Sequence, residues 1–366
     1  MTTAKQRYYE PIKEQPELFV GIELEYPVVN LSGNATDVSL TKQLLLYLLD
    51  NFDFQADKYD SDNNPIQLID KASGDMILFE VSYNTIEFAF AKAERISEVE
   101  DTYLGIIQPY LQNHNHELQG WGVNPNWAKN DNRPVKSPRY EMLMDFLELS
   151  KAKKDPFFHE YPEYGSFICG SQVQLDVSKT SYLRVLNAFN QIEGPKAVLL
   201  ANSEFWGSDW DLALSRDVFW ENSMHGVFEE NAGVFPKVFK SEDDYFSYLS
   251  ETAIFTAKRG DETYYFEPIR AKDYLSTSSV KAHSIHGEVV TIEPSEEDFK
   301  THRSYQFQDL TTRGTIEFRS VCTQPFSSTF APAAFHLGLL VNLENLENIL
   351  NDSPFFEAFD YDFPRI

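Results

Sequence analysis

The sequence predicts an α+β protein, an antiparallel sheet packed on helices. Three observations lead there. Strand-like and helix-like segments alternate from end to end. No fixed-period repeat and no linker-like shift in composition divides the chain, so residues 1–366 read as one interwoven domain. The strand segments alternate apolar with polar side chains, as strands with one covered face do. With 366 residues, 42% hydrophobic and 14% aromatic, the chain supports a large core rather than disorder.

Taken in order, Phe19–Val29 places Val20, Ile22, Leu24 and Tyr26 on one face and Gly21, Glu23 and Glu25 on the other. Leu44, Leu45 and Leu48 recur at helical spacing, predicting a helix over Leu40–Phe52 with Ser39 as its cap. Thr85–Phe90 alternates again, with Ile86, Phe88 and Phe90 opposite Glu87. A helix follows over Ala93–Leu118, kinked or broken at Pro109, and another over Tyr140–Ala152. In Phe167–Val177 the apolar set is Phe167, Cys169, Val173, Leu175 and Val177, facing away from Gln172, Gln174 and Asp176. Helices are predicted over Thr180–Ala201, interrupted at Gly194-Pro195, and over Asp243–Lys258. Thr315–Val321 sets Ile316 and Phe318 against Glu317 and Arg319, and Pro325 starts the turn before a last helix, Ala331–Leu350. Asp60–Pro65, Asn124–Pro138 and Asn202–Asp211 read as loops.

The polar faces are unusual. Solvent faces of strands mix Thr, Lys and Arg with acids, but Glu23 and Glu25 stand two apart with no cation between them. Like charges held close are unfavourable unless a cation joins them. A sheet face of acids and amides with one arginine therefore reads as a metal-binding floor. Its oxygen-only donors suit hard cations such as Mg²⁺ or Mn²⁺. Zinc is disfavoured: His114 and His116 sit two apart in a predicted helix, His283 and His286 lack ligand spacing, and all four read as surface residues. No nucleophile elbow, Walker loop or dinucleotide fingerprint is present. Acids, Mg²⁺ and a few arginines fit phosphoryl transfer, which runs on positioning and charge neutralisation.

Charge narrows the partners. Asp+Glu of 57 against Lys+Arg of 31 gives a net charge of −26. Such a surface repels nucleic acid and anionic lipid, so a phosphate-bearing ligand must enter through metal ions or local arginines. Two cysteines, no apolar leader at the N-terminus and no apolar run near the about 20 residues of a membrane span predict a soluble, cytoplasmic protein.

Several motifs in register now carry a resemblance. Gly21-Ile22-Glu23-Leu24-Glu25 resembles the G-x-E-x-E opening of the glutamate–cysteine ligases, particularly the plant and proteobacterial type. Glu80 and Glu87 look like that family's next pair of acids, carried around a hairpin, and Ser137-Pro138-Arg139-Tyr140-Glu141-Met142 is similar to its R-Y-x-x-M segment. Gln172-Val173-Gln174-Leu175-Asp176 with Ala201-Asn202-Ser203 resembles T-Q-V-N-L-D followed by A-N-S, and Leu214-Ser215-Arg216 the arginine-bearing segment after it. Glu317-Phe318-Arg319-Ser320 with Gln324-Pro325 resembles the closing E-x-R-S…Q-P.

The resemblance implies a glutamine-synthetase-like catalytic fold, a curved antiparallel half-barrel with helices on its outer face. It also implies ATP-dependent joining of the glutamate γ-carboxylate to an amine, cysteine in the type activity, through γ-glutamyl phosphate. In those terms Glu23, Glu25, Glu80, Glu87 and Glu317 hold two or three Mg²⁺. Gln172, Gln174 and Arg139 contact ATP, the co-substrate, and Arg319 and Arg216 neutralise the phosphoryl group. The partners implied are ATP, glutamate and an amino-acid amine. Read locally instead, Arg319 pairs with Glu317 and Arg216 with Asp217. Two departures bear on the substrates: Val81-Ser82-Tyr83-Asn84-Thr85 stands where the family runs through Gly-Gly, and Cys322-Thr323 where it places an acid. The other readings are another amine or acid, a guanidino-kinase-like phosphotransferase, and a non-catalytic metabolite-binding relative. The pairing of E-x-E with E-x-R-S…Q-P favours the ligase.

Overall fold

The computed structural model describes residues 2–99 and 103–354. Its strands run, in chain order, β1 Val20–Asn30, β2 Phe54–Tyr59, β3 Pro65–Asp70, β4 Met76–Phe79, β5 Thr85–Ala89, β6 His116–Leu118, β7 Ser171–Asp176 and β8 Ala232–Gly233. They continue with β9 Ala253–Arg259, β10 Glu262–Arg270, β11 Val280–His283, β12 Val289–Ile292, β13 Tyr305–Gln306, β14 Gln308–Leu310 and β15 Thr315–Phe318. The main sheet is open, in the order β14-β15-β7-β1-β5-β4-β3-β2, with β6 on the far end of β1. Every pairing in it is antiparallel. A second, four-stranded antiparallel sheet runs β12-β11-β10-β9, and β8 and β13 pair in parallel. The architecture is α+β, as the alternation predicts.

One face of the main sheet supplies the core. Val20, Ile22, Leu24 and Tyr26 of β1 join Val173 and Leu175 of β7, Ile316 and Phe318 of β15, and Ile86 and Phe88 of β5. Against them pack Leu44, Leu45 and Leu48 from the helix Val38–Asn51, and Val185, Leu186 and Phe189 from the helix Tyr182–Gln191. Fully burying one such side chain contributes about 1.5–3 kcal/mol, so a one-residue slip of β1, which would turn its apolar set outward, is heavily disfavoured. This fixes the opposite parity, Gly21, Glu23 and Glu25, on the other face.

Several helices end earlier than periodicity suggests. The predicted helix Asp243–Lys258 stops at Leu249, and Ile254-Phe255-Thr256 enters β9, where β-branched and aromatic side chains suit pairing with β10. Ala93–Leu118 resolves into a 3₁₀ turn Ile96–Glu98, a helix Leu104–Gln112 that runs through Pro109, and β6. Asn115, at φ 60°, turns the chain between helix and strand. The break predicted at Gly194-Pro195 falls at Ile192, because Pro195 is tolerated in the first turn of the helix Glu193–Leu200. The last helix divides at Asn342 into Ala331–Val341 and Leu343–Asp352, bent by 83°. Among the described residues no single helix is long and apolar enough to cross a membrane. His116 is buried in β6 rather than exposed; its Nε2 accepts the Asp37 N–H at 3.1 Å.

The cap of the helix Val38–Asn51 is Asp37, not Ser39: its carboxylate accepts the N–H groups of Ser39 at 2.9 Å and Leu40 at 3.3 Å. Replacing such a cap costs about 1 kcal/mol. Asp37→Ala is therefore expected to lower the urea midpoint with the denaturant slope unchanged.

Candidate active site

The polar face of the main sheet lines up in cross-strand rows. Glu25 of β1 lies directly opposite Glu87 of β5. Glu23 lies opposite Gln172 of β7. Glu317 of β15 lies opposite Gln174 of β7 on one side and Asp309 of β14 on the other. Residues paired this way hold their Cβ atoms about 5 Å apart, so four of the five predicted acids share a patch a few strands wide. The fifth, Glu80, follows β4 on the turn into β5, the hairpin the resemblance implies. Val81, next to it, adopts φ 55°, a left-handed conformation that a β-branched residue rarely takes and glycine takes freely. The turn thus takes a glycine-like backbone conformation with a β-branched side chain.

Amides and hydroxyls, rather than lysines, meet these carboxylates. Gln172 Nε2 donates to Glu25 Oε1 and Gln174 Nε2 to Glu23 Oε1, each at 3.0 Å. The Gly170 N–H donates to Glu25 Oε2 at 2.6 Å, and the Tyr140 hydroxyl to Glu80 Oε2 at 2.6 Å. Among the described residues the one ion pair to these five acids is Arg319 Nη2 to Glu317 Oε2, at 2.5 Å. Arg319 also reaches Gln172 Oε1 at 3.4 Å, and Arg313 donates to Gln174 Oε1 at 2.6 Å.

Burial and crowding show in the proton affinities. Burial, then Glu317, raises the Glu23 carboxyl to about 7 against the opposing pull of Arg319 and Arg313. Burial raises Glu25 to about 7, with Arg216 pulling it back down and Glu80 adding to the rise. Glu87 is driven well above the carboxylate range by burial and then by Glu80, Glu23 and Glu25. Asp309 is pushed up to about 6 by burial, opposed by Arg319. These are carboxylates short of positive charge.

The arginines divide by depth. Arg139, exposed in the first turn of the helix Pro138–Lys153, stacks on the Tyr140 ring, with the charges of Glu80 and Glu87 close by. Arg303 stacks on Tyr305 beside Glu317 and Asp309. Arg319 is partly exposed, and its buried Nε makes no hydrogen bond among the described residues but faces Asp309 Oδ2 in an ion pair at 4.0 Å. Arg216, in the first turn of the helix Ser215–Glu221, is 3% exposed, and its guanidinium covers Gly170 on the same face as Gln172 and Glu25. Its Nη1 donates to the Arg319 carbonyl oxygen at 2.6 Å, and no ion pair joins it to Asp217 among the described residues.

The donor set fits a hard divalent cation in kind: oxygen-only, acidic, and held by amides that leave its charge uncompensated. The acids share the face without closing on one point, and no group of three or more His, Cys, Asp or Glu among the described residues is gathered closely enough to hold one ion. Asp309, Arg303, Arg313 and the Tyr140 hydroxyl were not singled out by the sequence reading. Asp309 carries no local signal; only the β14–β15 register brings it to Glu317. Tyr140 stood inside the Arg139-Tyr140 segment but read as a helix start.

A protein-family model described as glutamate-cysteine ligase family 2 matches residues 19–356, nearly the whole chain. No curated protein matches it.

The raised carboxyls give a sign for pH. Groups whose folded value exceeds the unfolded one contribute stability below the unfolded value and lose it as pH rises through the folded value. For Glu23 and Glu25 that loss runs from 4.5 through about 7. With a chelator present, Glu23→Gln is therefore expected to gain on the parent between mildly acidic and mildly alkaline pH, by about 1–3 kcal/mol. Urea unfolding at both ends of the range reads the difference; a pH-independent gap would contradict it.

Proposed function

The chain belongs to glutamate-cysteine ligase family 2, and we propose that it is an ATP-dependent carboxylate–amine ligase that joins the γ-carboxylate of L-glutamate to the amine of L-cysteine. ATP, glutamate and cysteine give γ-glutamylcysteine, ADP and phosphate, by way of γ-glutamyl phosphate. The observation that carries this reading is the crowd of carboxylates on one sheet face, hydrogen-bonded to amides and lacking lysine counter-ions. A merely solvated face would spread such charges or pair them.

In this reading Glu23, Glu25, Glu80, Glu87 and Glu317 hold two or three Mg²⁺. Bound divalent ions supply charge neutralisation between the ATP phosphates and this acidic protein. Gln172 and Gln174 orient the carboxylates of Glu25 and Glu23 through their amide donors. Gln172 also borders the nucleotide through its contact with Arg319. Arg139 meets the phosphates from the rim. Arg319 stabilises the charge of the transferring phosphoryl group, and Glu317 and Asp309 hold its guanidinium in place. The cysteine thiol enters as part of the acceptor; Cys169 and Cys322 are buried and free. Cys322, 0% exposed, is a small hydrophobe in the wall and not a contact for the acceptor.

The family relation and the antiparallel sheet support a glutamine-synthetase-like fold with the chain acting as one catalytic domain. The unpaired cysteines are in keeping with the cytoplasm. A second reading keeps the chemistry and changes the amine. It is favoured by Val81, whose side chain stands at the turn beside Glu80 where the family has glycine.

Purified protein with Mg²⁺, ATP, glutamate and cysteine is expected to release one phosphate per dipeptide formed. Chelation should abolish turnover and excess Mg²⁺ restore it. Glu23→Gln should lower kcat by roughly 100-fold or more while the metal-free melting temperature stays level or rises. Phosphate release with a different amine would move the assignment to the second reading. A phosphorylated acceptor as sole product would replace it with a kinase, and no turnover with a broad panel of amines would sink it.

A further inference from the structure

Gly170 sits in extended backbone, bridged to Cys322, and has no positive φ to account for a glycine. Glycine is disfavoured inside strands, and where it persists without a turn it often marks a close approach. A Cβ built on Gly170 would lie 2.5 Å from Arg216 Nη2, 2.9 Å from Cζ and 3.2 Å from Nε. The glycines at 120 and 122 are different: their nearest atoms are carbonyl oxygens of Gln324 and Asn202, a matter of chain packing. At 170 the space is filled by a guanidinium.

That guanidinium has two neighbours of consequence. Its Nη1 holds the Arg319 carbonyl oxygen at 2.6 Å, and it stands against Gly170, the residue whose N–H binds Glu25. Gly170 itself gives Glu25 Oε2 a backbone N–H at 2.6 Å. The helix bearing Arg216 is pinned from the other side, where the Ser203 hydroxyl accepts the Arg216 N–H at 3.1 Å. A Cβ at 170 could therefore not be absorbed by a simple retreat of Arg216. Displacing the guanidinium would shift the main chain that carries Arg319 and disturb the Gly170 N–H that holds Glu25.

We infer that Gly170 and Arg216 form one positioning unit: the missing side chain at 170 is the seat of the Arg216 guanidinium, from which Arg216 holds the Arg319 main chain, while the Gly170 N–H holds Glu25. At 3% exposure Arg216 acts through these two neighbours rather than by meeting substrate. The inference rests on the ligase reading for its catalytic consequence, but the seat itself is a matter of packing.

The test is a double-mutant cycle with Gly170→Ala, Arg216→Lys and their combination, read by kcat, by KM for ATP and glutamate, and by melting temperature. Gly170→Ala is expected to lower kcat roughly 10- to 100-fold with KM for glutamate within about twofold of the parent. Arg216→Lys should fall similarly, and the combination should lose no more than Arg216→Lys alone, because only a guanidinium needs the seat. Multiplying losses, or a Gly170→Ala enzyme within about twofold of the parent, would overturn the proposal. If Gly170→Ala does not fold, the combination with Arg216→Ala should fold, since the clashing group is gone; failure of that variant too would put the need for glycine in the backbone and end the idea. Should the parent show no ligase turnover, the function falls separately. The seat then stands or falls on the melting temperatures, where Gly170→Ala should destabilise the parent and not the Arg216→Ala background.

Discussion

The site depends on the parity of one strand. β1 is at the centre of the main sheet, and its apolar residues are committed to the helices behind it. Side chains alternate strictly along a strand, so burying Val20, Ile22, Leu24 and Tyr26 forces Glu23 and Glu25 onto the concourse formed with β5, β7 and β15. The hydrophobic energy of the core thereby holds like charges together. Their mutual repulsion is small beside the cost of turning four large apolar side chains into water.

The neighbours then decide what those charges can do. β5 sets Glu87 against Glu25, β15 brings Glu317 and Arg319, and β7 interposes two glutamines that hydrogen-bond the carboxylates without neutralising them. A lysine at either glutamine position would complete a structural ion pair and leave nothing for a ligand. The amides keep geometry and charge separate: oxygens are oriented, yet the field over the floor stays negative. Positive charge is delivered by exposed Arg139, by half-buried Arg303 and Arg319 beside Glu317, and by buried Arg216 against Gly170. This arrangement gives an acidic protein local cationic groups around its carboxylates.

Much of this was legible in the chain. The four alternating segments became β1, β5, β7 and β15 with their faces as read, and Glu80 and Glu87 do flank a hairpin. Helix ends were read less well. Periodicity carried the segment after Asp243 through to Lys258, although Ile254-Phe255-Thr256 belongs to a strand whose partner lies further on in sequence. The second sheet escaped for the same reason: β11 and β12 are short, and pairing rather than pattern makes them strands. Ser39 was a plausible cap, but Asp37 has the carboxylate in reach of both free N–H groups. Asp309, Arg303 and Arg313 had no motif to announce them, because their role comes from register and stacking across the sheet.

The sequence by itself determined which residue types share a face, since a period of two needs no knowledge of the fold. It therefore determined the acid-and-amide chemistry of the floor and the α+β class. Only the tertiary structure decided which strands are neighbours, that Glu25 meets Glu87 and Glu317 meets Asp309, and that Arg216 fills the space Gly170 leaves. Those facts depend on register between segments far apart in the chain and on the closeness of two atoms, and no local pattern encodes either.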